Sequence, residues 1–238
     1  MTQDQSKFGE QAINKIAEIA LASQLEEAKQ LEVRVKTDLS KLARGEIDSI
    51  AINIYSLLIE QEFYVEELNL QIGRVTVKPF SAVLGKIKLV HPSQGTLRLL
   101  ISEGNLTRFL NSQPFLESLH QQQSIRIEEI KCSLLADSRI VFNTVIADEV
   151  ANTKAIAFTA DPYLEANGQE VALRNLRYLE GKEPPPELVK ALLTRISELL
   201  SLRNFARQGM SLQIQQLDVV TGSLTLQAAA YIEQFPSS

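Results

Sequence analysis

The sequence predicts an α+β fold built mainly from antiparallel strands. Three observations carry that prediction. Apolar–polar alternations of strand length recur through most of the chain, with brief connections that favour hairpin pairing. The parity of the alternation flips within several of them, as a β-bulge makes it do, so the strands should be long and strongly bent. The order of signals is helix, four strands, helices, four strands, helix, two strands, which is not the strict β–α alternation of a parallel sheet.

Residues 6–30 read as the first helix: Ile13, Ile16, Ala17, Ala20, Leu21, Leu25 and Ala28 recur at spacings of three and four, and Ser6 can cap the start. Ile50, Ile52 and Ile54 then alternate with Ser49, Ala51 and Asn53. Leu68, Leu70 and Ile72 do the same until Gly73, where the apolar parity passes to Val75 and Val77, as at a bulge. Pro79 and Phe80 open a turn that closes near Gly85. Ile87 and Leu89 lie on one face of the return strand and Lys86 and Lys88 on the other. His91-Pro92-Ser93-Gln94-Gly95 reads as a break, after which Leu97, Leu99 and Ile101 resume the apolar face. Ser102 suits the N-cap of a helix from about 103 to 111, and a second helix follows Pro114.

Strand signals return near 124–134, 138–147, 152–160 and 169–179. Parity flips at Glu128-Glu129 and between Leu173 and Leu176. Pro184-Pro185-Pro186 precedes a helix to about 203, with Leu188, Leu192, Ile196, Leu199 and Leu200 on one side. Two strands, roughly 209–219 and 223–232, meet near Thr221-Gly222. No Gly/Ser-rich linker divides the chain. A single domain over 1–238 is expected, whose halves, about 6–123 and 124–238, hint at a duplicated strand-and-helix unit.

The chain is acidic, with 29 Asp and Glu against 24 Lys and Arg, a balance unlike that of a general nucleic-acid binder. Between Leu68 and Ser102 there is no acid, yet Arg74, Lys78, Lys86, Lys88 and Arg98 all occur there. Their parity opposes that of Val77, Ile87 and Leu89, so one face is apolar and one basic, with Phe80 near the hairpin tip. An anionic membrane attracts each such cation by about 1 kcal/mol. A solvated sheet side whose lysines block edge pairing has the same pattern.

Signals for catalysis are weak. His91, His120 and the single Cys132 are far apart and match no metal-ligand spacing, and no phosphate loop or nucleophile elbow occurs. Glu66-Glu67 and Glu128-Glu129 are adjacent in strands and point to opposite faces, so neither pair is a dyad by itself. No cofactor or metal is implied. The start MTQDQSKFGEQ shows no signal-peptide pattern, and no apolar run is long enough to span a membrane. A cytoplasmic location, or a peripheral one on the cytoplasmic side of a membrane, is the expectation.

KLARGEIDSIAI at 41–52 reads as a small helix, a glycine, an acidic residue and a strand, and VEELNLQIGRVTVKP at 65–79 as a long strand. In LGKIKLVHPSQGTLRLLISEGNLTRFLNS at 84–112 a strand runs into a Ser/Thr-Glu-x-Asp/Asn-Leu helix start, here Ser102, Glu103, Gly104, Asn105 and Leu106. These three passages resemble those of the LmeA-like phospholipid-binding proteins of actinobacteria and cyanobacteria, the second being similar to the family's long central strand. The likeness runs from about 15 to 232 and looks more like the cyanobacterial branch. It implies a long, strongly curved antiparallel β-sheet wrapped around long α-helices, as in tubular lipid-binding proteins, and phospholipid binding without catalysis.

The combined expectation is a lipid-binding domain that meets anionic membranes peripherally. Leu188, Leu192, Ile196, Leu199 and Leu200 would line an acyl groove. Arg74, Lys78, Phe80, Lys86, Lys88 and Arg98 would face the membrane or the headgroups. The alternative is an interaction or scaffold module with a packed core and a basic face for an acidic partner. An enzyme would need carboxylates gathered by the fold.

Overall fold

A computed structural model describes residues 11, 13–19, 21–23, 25, 27–60, 62–77, 88–120, 126–147, 153–180, 185–202 and 209–234. The first helix, α1, is described at 11, 13–19 and 21–22. It ends earlier than its periodicity predicts, because Ala28–Lys36 is strand β1. There Leu31, Val33 and Val35 alternate with period two and pair with Ile54, Ile52 and Ile50 of β3 (Ser49–Glu60), which overrides the helical spacing of Leu25 and Ala28.

Between these strands lie a short helix α2 (Leu39–Ala43) and strand β2 (Glu46–Ile47). β4 (Phe63–Ile72) follows β3, and β5 (Val75–Thr76) pairs with β2. The parity change at Gly73 is therefore a change of sheet and not a bulge. β6 (Lys88–Ser102) runs without interruption through His91–Gly95, where a break was expected. Pro92 is tolerated because pairing with β4 ends at Ile72↔Gly95, so the proline lies beyond that ladder.

β6 leads into α3 (Glu103–Leu110) and α4 (Gln113–His120). Four strands follow: β7 (Arg126–Leu134), β8 (Ile140–Ala147), β9 (Thr153–Leu164) and β10 (Val171–Glu180). After α5 (Pro186–Leu200), β11 (Met210–Val220) and β12 (Ser223–Gln234) return to the first sheet. The result is a six-stranded sheet, order β1-β3-β4-β6-β12-β11, and a four-stranded sheet, order β10-β9-β8-β7, with every pair antiparallel. Both expected flips in the second sheet are register shifts, at Ile127/Glu129 and Arg174/Arg177.

The expected long central helices are absent among the described residues. Sheet dominates, and the helices have 8, 8 and 15 residues in α3, α4 and α5. Asn111 ends α3 after two turns, and Pro186 sets the start of α5 at its first turn. The main core joins both sheets to these helices: Leu68 and Leu99 from one sheet, Phe142 and Phe158 from the other, and Leu106, Phe115, Leu192 and Ile196 from the helices. A second core under α1 gathers Val33, Ile50, Ile72, Leu89 and Ile232, with Ile13, Ala17 and Leu21 packed on it.

α3 also does polar work. Ser102 caps it, its hydroxyl accepting from the Asn105 N–H at 3.2 Å, a contact typically worth about 1 kcal/mol. Three of its side chains then face the outer edge of β7. Glu103 accepts from the Leu134 N–H at 2.8 Å, and the Thr107 hydroxyl bridges the N–H and C=O of Cys132 at 3.2 Å each. Asn111 pairs both backbone groups of Ile130, at 2.9 and 2.6 Å. Four residues of helix rise about 6 Å and two of strand about 6.6 Å, so Glu103, Thr107 and Asn111 match alternate strand residues. From Ile130 to Leu134 the edge of β7 is closed by these side chains and by the Gly222 N–H, which donates to the Leu134 carbonyl at 3.1 Å.

Candidate lipid-binding groove

The opposite edge of that sheet is β10. Among the described residues its backbone pairs only with β9. At Asn175 the backbone turns to φ 53° and the register with β9 shifts. Beyond the shift Tyr178 opposes buried Phe158, so the inward face of β10 continues past the bulge. α5 covers only part of that face. Leu176 and Tyr178 stay 39% and 45% exposed.

The uncovered space is a groove of about 920 Å³ between β10 and α5. Val171, Leu173, Leu176 and Tyr178 form its strand wall, and Pro186, Val189, Leu193 and Leu199 its helix wall. Its size falls within the range of small-molecule sites, and its walls are mainly apolar. Glu165 and Glu170 stand at the hairpin end, and Lys190, Arg195 and Glu198 line the helix side. Arg174 neutralises Glu165 at 2.7 Å while its guanidinium lies 3.9 Å from the Tyr163 ring centre. Arg195 donates from Nη1 to Glu198 at 2.7 Å, but its Nε–H is buried and has no partner among the described residues. A buried guanidinium N–H left unpaired is costly unless an acceptor meets it.

The expected groove residues divide between two faces of α5. Leu199 lines the groove. Leu188, Leu192, Ile196 and Leu200 are buried in the main core, at 5% exposure or less. Val189, Leu193 and Arg195 were not anticipated, since a helix apolar on more than one face does not announce which face will lie against sheet. The exposed Leu176 and Tyr178 on an otherwise arginine-bearing strand were the available signal.

The expected basic face is described only in part. Lys78, Phe80 and Lys86 lie outside the described residues. Lys88 begins β6, with its side chain outside the description. Arg74 is exposed just before β5, its carbonyl accepting from the Ser93 hydroxyl at 3.0 Å. Arg98 sits mid-sheet in the rung Asn53–Asn69–Arg98–Gln227, 3.3 Å from Glu67. Acids accompany the cations near α2: Lys41 contacts Asp48 at 2.7 Å, and that hydrogen bond raises the lysine pKa. Arg44 contacts Glu46 at 3.1 Å, which holds the glutamate below its ordinary value.

Among the described residues no cluster of three or more His, Cys, Asp or Glu could hold a metal ion. Burial, with a smaller contribution from Glu103, pushes the Cys132 thiol up, so it stays protonated and unreactive at neutral pH. Glu66 accepts from Asn105 at 3.1 Å and Glu67 pairs with Arg98, so this carboxylate pair is engaged in structure. No described helix is long and apolar enough to cross a membrane.

The model of the LmeA-like phospholipid-binding family matches residues 4–229, nearly the whole chain. No curated protein and no solved structure matches.

Proposed function

From the premise that the chain belongs to the LmeA-like phospholipid-binding family, we propose that the groove between α5 and β10 holds an acyl chain of a phospholipid. The observation that carries this reading is apolar side chains left exposed on an edge strand, paired only with β9 among the described residues, beside a groove of about 920 Å³. Val189, Leu193 and Leu199 contact the chain from the helix, and Leu173, Leu176 and Tyr178 from the strand. The core row Leu188, Leu192, Ile196 and Leu200 supports that wall from behind. The phosphate lies at the Arg195 Nε–H, where a charge-assisted hydrogen bond supplies the missing acceptor. Lys190 adds positive charge beside it.

In this reading the protein binds lipid without chemistry and meets membranes peripherally. Arg74, together with Lys78, Lys86 and Lys88, approaches anionic headgroups, and Phe80 inserts at the interface. Vesicle flotation tests the membrane half: replacing phosphatidylcholine by phosphatidylglycerol should increase binding, and Arg74→Ala should reduce it by about 1 kcal/mol. Equal flotation with both lipids contradicts the anionic preference. Photo-crosslinking with a diazirine-bearing phosphatidylglycerol tests the groove half. Adducts should fall on Leu173–Leu179 and Val189–Leu199, and adducts confined to other segments contradict the site.

A further inference from the structure

The polar face of the six-stranded sheet holds a second cavity. It is a channel of about 1050 Å³ that crosses β3, β4, β6, β12 and β11. Paired strands fix its geometry. Ala51, Gln71, Thr96, Ala229 and Gln213 form one rung, and Gln94, Tyr231 and Ser211 form the next. The intervening positions Ile50, Ile72, Ala230 and Leu212 are buried, so these rungs point away from the core. Ala51, Thr96 and Ala229 are short and leave a floor. Gln71 and Gln213 stand three strand spacings apart, about 14 Å at 4.8 Å per strand. Tyr231 is 42% exposed beside them.

The hairpin between β9 and β10 closes one end. The Ile214 N–H donates to the Gly168 carbonyl at 2.6 Å, which brings Asn167 and Gln169 to the channel wall. Gly168 has φ +65°, and a Cβ there would lie 2.8 Å from Gln213 Cγ, so glycine lets the loop seat closely.

The lining chemistry is one-sided. Eighteen described residues line the channel, and none is Asp, Glu, Lys or Arg, in a chain that is 22% charged. They include Gln71, Gln94, Gln169, Gln213 and Gln215. Among the described residues none of these five side-chain amides makes a hydrogen bond. Each amide offers two donors and an acceptor, as do the neighbouring hydroxyls in smaller number. Uncharged groups that both donate and accept match a ligand dense in hydroxyls and supply no counter-charge for a phosphate or an ammonium. The exposed Tyr231 ring supplies a flat apolar face for the C–H side of such a ligand.

We propose that this channel binds a short, neutral oligosaccharide, free or as the sugar headgroup of a glycolipid. The site is separate from the α5–β10 groove, so it can stand or fall without the acyl-chain reading.

The test is proton–nitrogen NMR of the whole chain titrated with maltotriose, mannotriose and galactotriose, with trigalacturonate as the charged control. Side-chain amide signals of Gln71 and Gln213 should move with at least one neutral trisaccharide and not with trigalacturonate. Tyr231→Ala and Gln213→Ala should each weaken binding about tenfold, one hydrogen bond or ring contact being worth about 1.4 kcal/mol. Gln71→Ala, at an exposed position, provides the same reading should Tyr231→Ala fold poorly. Flotation of phosphatidylcholine vesicles with and without digalactosyl diacylglycerol separates the sources: dependence on the glycolipid assigns a headgroup, and binding of soluble sugar alone assigns a free saccharide. The proposal is overturned by amide signals that move with no neutral probe while glycolipid flotation is also absent. It is equally overturned by binding or flotation that survives all three substitutions.

Discussion

The two edges of the four-stranded sheet are treated in opposite ways. Along β7, α3 supplies Glu103, Thr107 and Asn111 as surrogate strand partners for Leu134, Cys132 and Ile130. Along β10 no such partner stands among the described residues, and apolar side chains are left in view. Both edges face a helix, so the difference lies in the side chains those helices carry. α3 offers polar groups at four-residue spacing that satisfy a strand. α5 offers Val189 and Leu193, which satisfy nothing polar and leave a groove. One edge is thereby part of the frame, and the other borders the groove proposed to hold lipid.

That contrast can be broken first at the closed edge. Asn111→Leu should remove both partners of Ile130 and destabilise the fold by about 2–6 kcal/mol, since each buried unpaired backbone group costs about 1–3 kcal/mol. Urea denaturation measures it. A loss under about 0.5 kcal/mol, the size of an ordinary surface change, would mean the edge needs no closing.

At the open edge the expected effects fall on binding. Leu193→Asp places a carboxylate in the groove wall. It should weaken phospholipid uptake about a hundredfold, equivalent to about 2.7 kcal/mol, while changing stability far less than Asn111→Leu does. Lipid transfer from vesicles and a urea curve on the same variant separate the two. Arg195→Gln should weaken anionic phospholipid uptake about tenfold and leave binding of an uncharged diacylglycerol unchanged. Equal losses for both lipids would remove the phosphate from that position.

The smallest effect is confined to alkaline pH and to the closed edge. The folded Cys132 thiol has a raised pKa, so the folded state keeps a proton that the unfolded chain loses above about pH 9. Stability is complete below that value and should fall by about 1.4 kcal/mol per pH unit above it. Cys132→Ala should remove this contribution from the pH dependence of urea denaturation, whatever its effect at neutral pH.

Much of the chain from Ser102 onward was legible because its signals are local. Ser102 caps where a capping residue should, Pro186 opens α5, and the flips at Glu128 and Leu173–Leu176 mark bulges. The failures share a non-local cause. Ala28 reads as helix until β3 is there to pair with it. Gly73 reads as a bulge because alternation does not say that the chain has changed sheets. His91–Gly95 reads as a loop because turn residues are common there, yet β12 holds the segment extended. The long helices inferred from the resemblance gave way to short ones between two sheets. The row Leu188–Leu200 was visible as apolar, but which face of α5 meets the core depends on sheets that lie far away in sequence.

The most direct test of the account is native mass spectrometry of the purified chain after exposure to phosphatidylglycerol vesicles, with lipid extraction and identification, run beside Leu193→Asp. The account predicts a stoichiometric phospholipid adduct on the parent protein and its loss in the variant. A parent protein that stays at its apo mass, or an adduct retained equally by Leu193→Asp, would contradict lipid binding in the groove between α5 and β10.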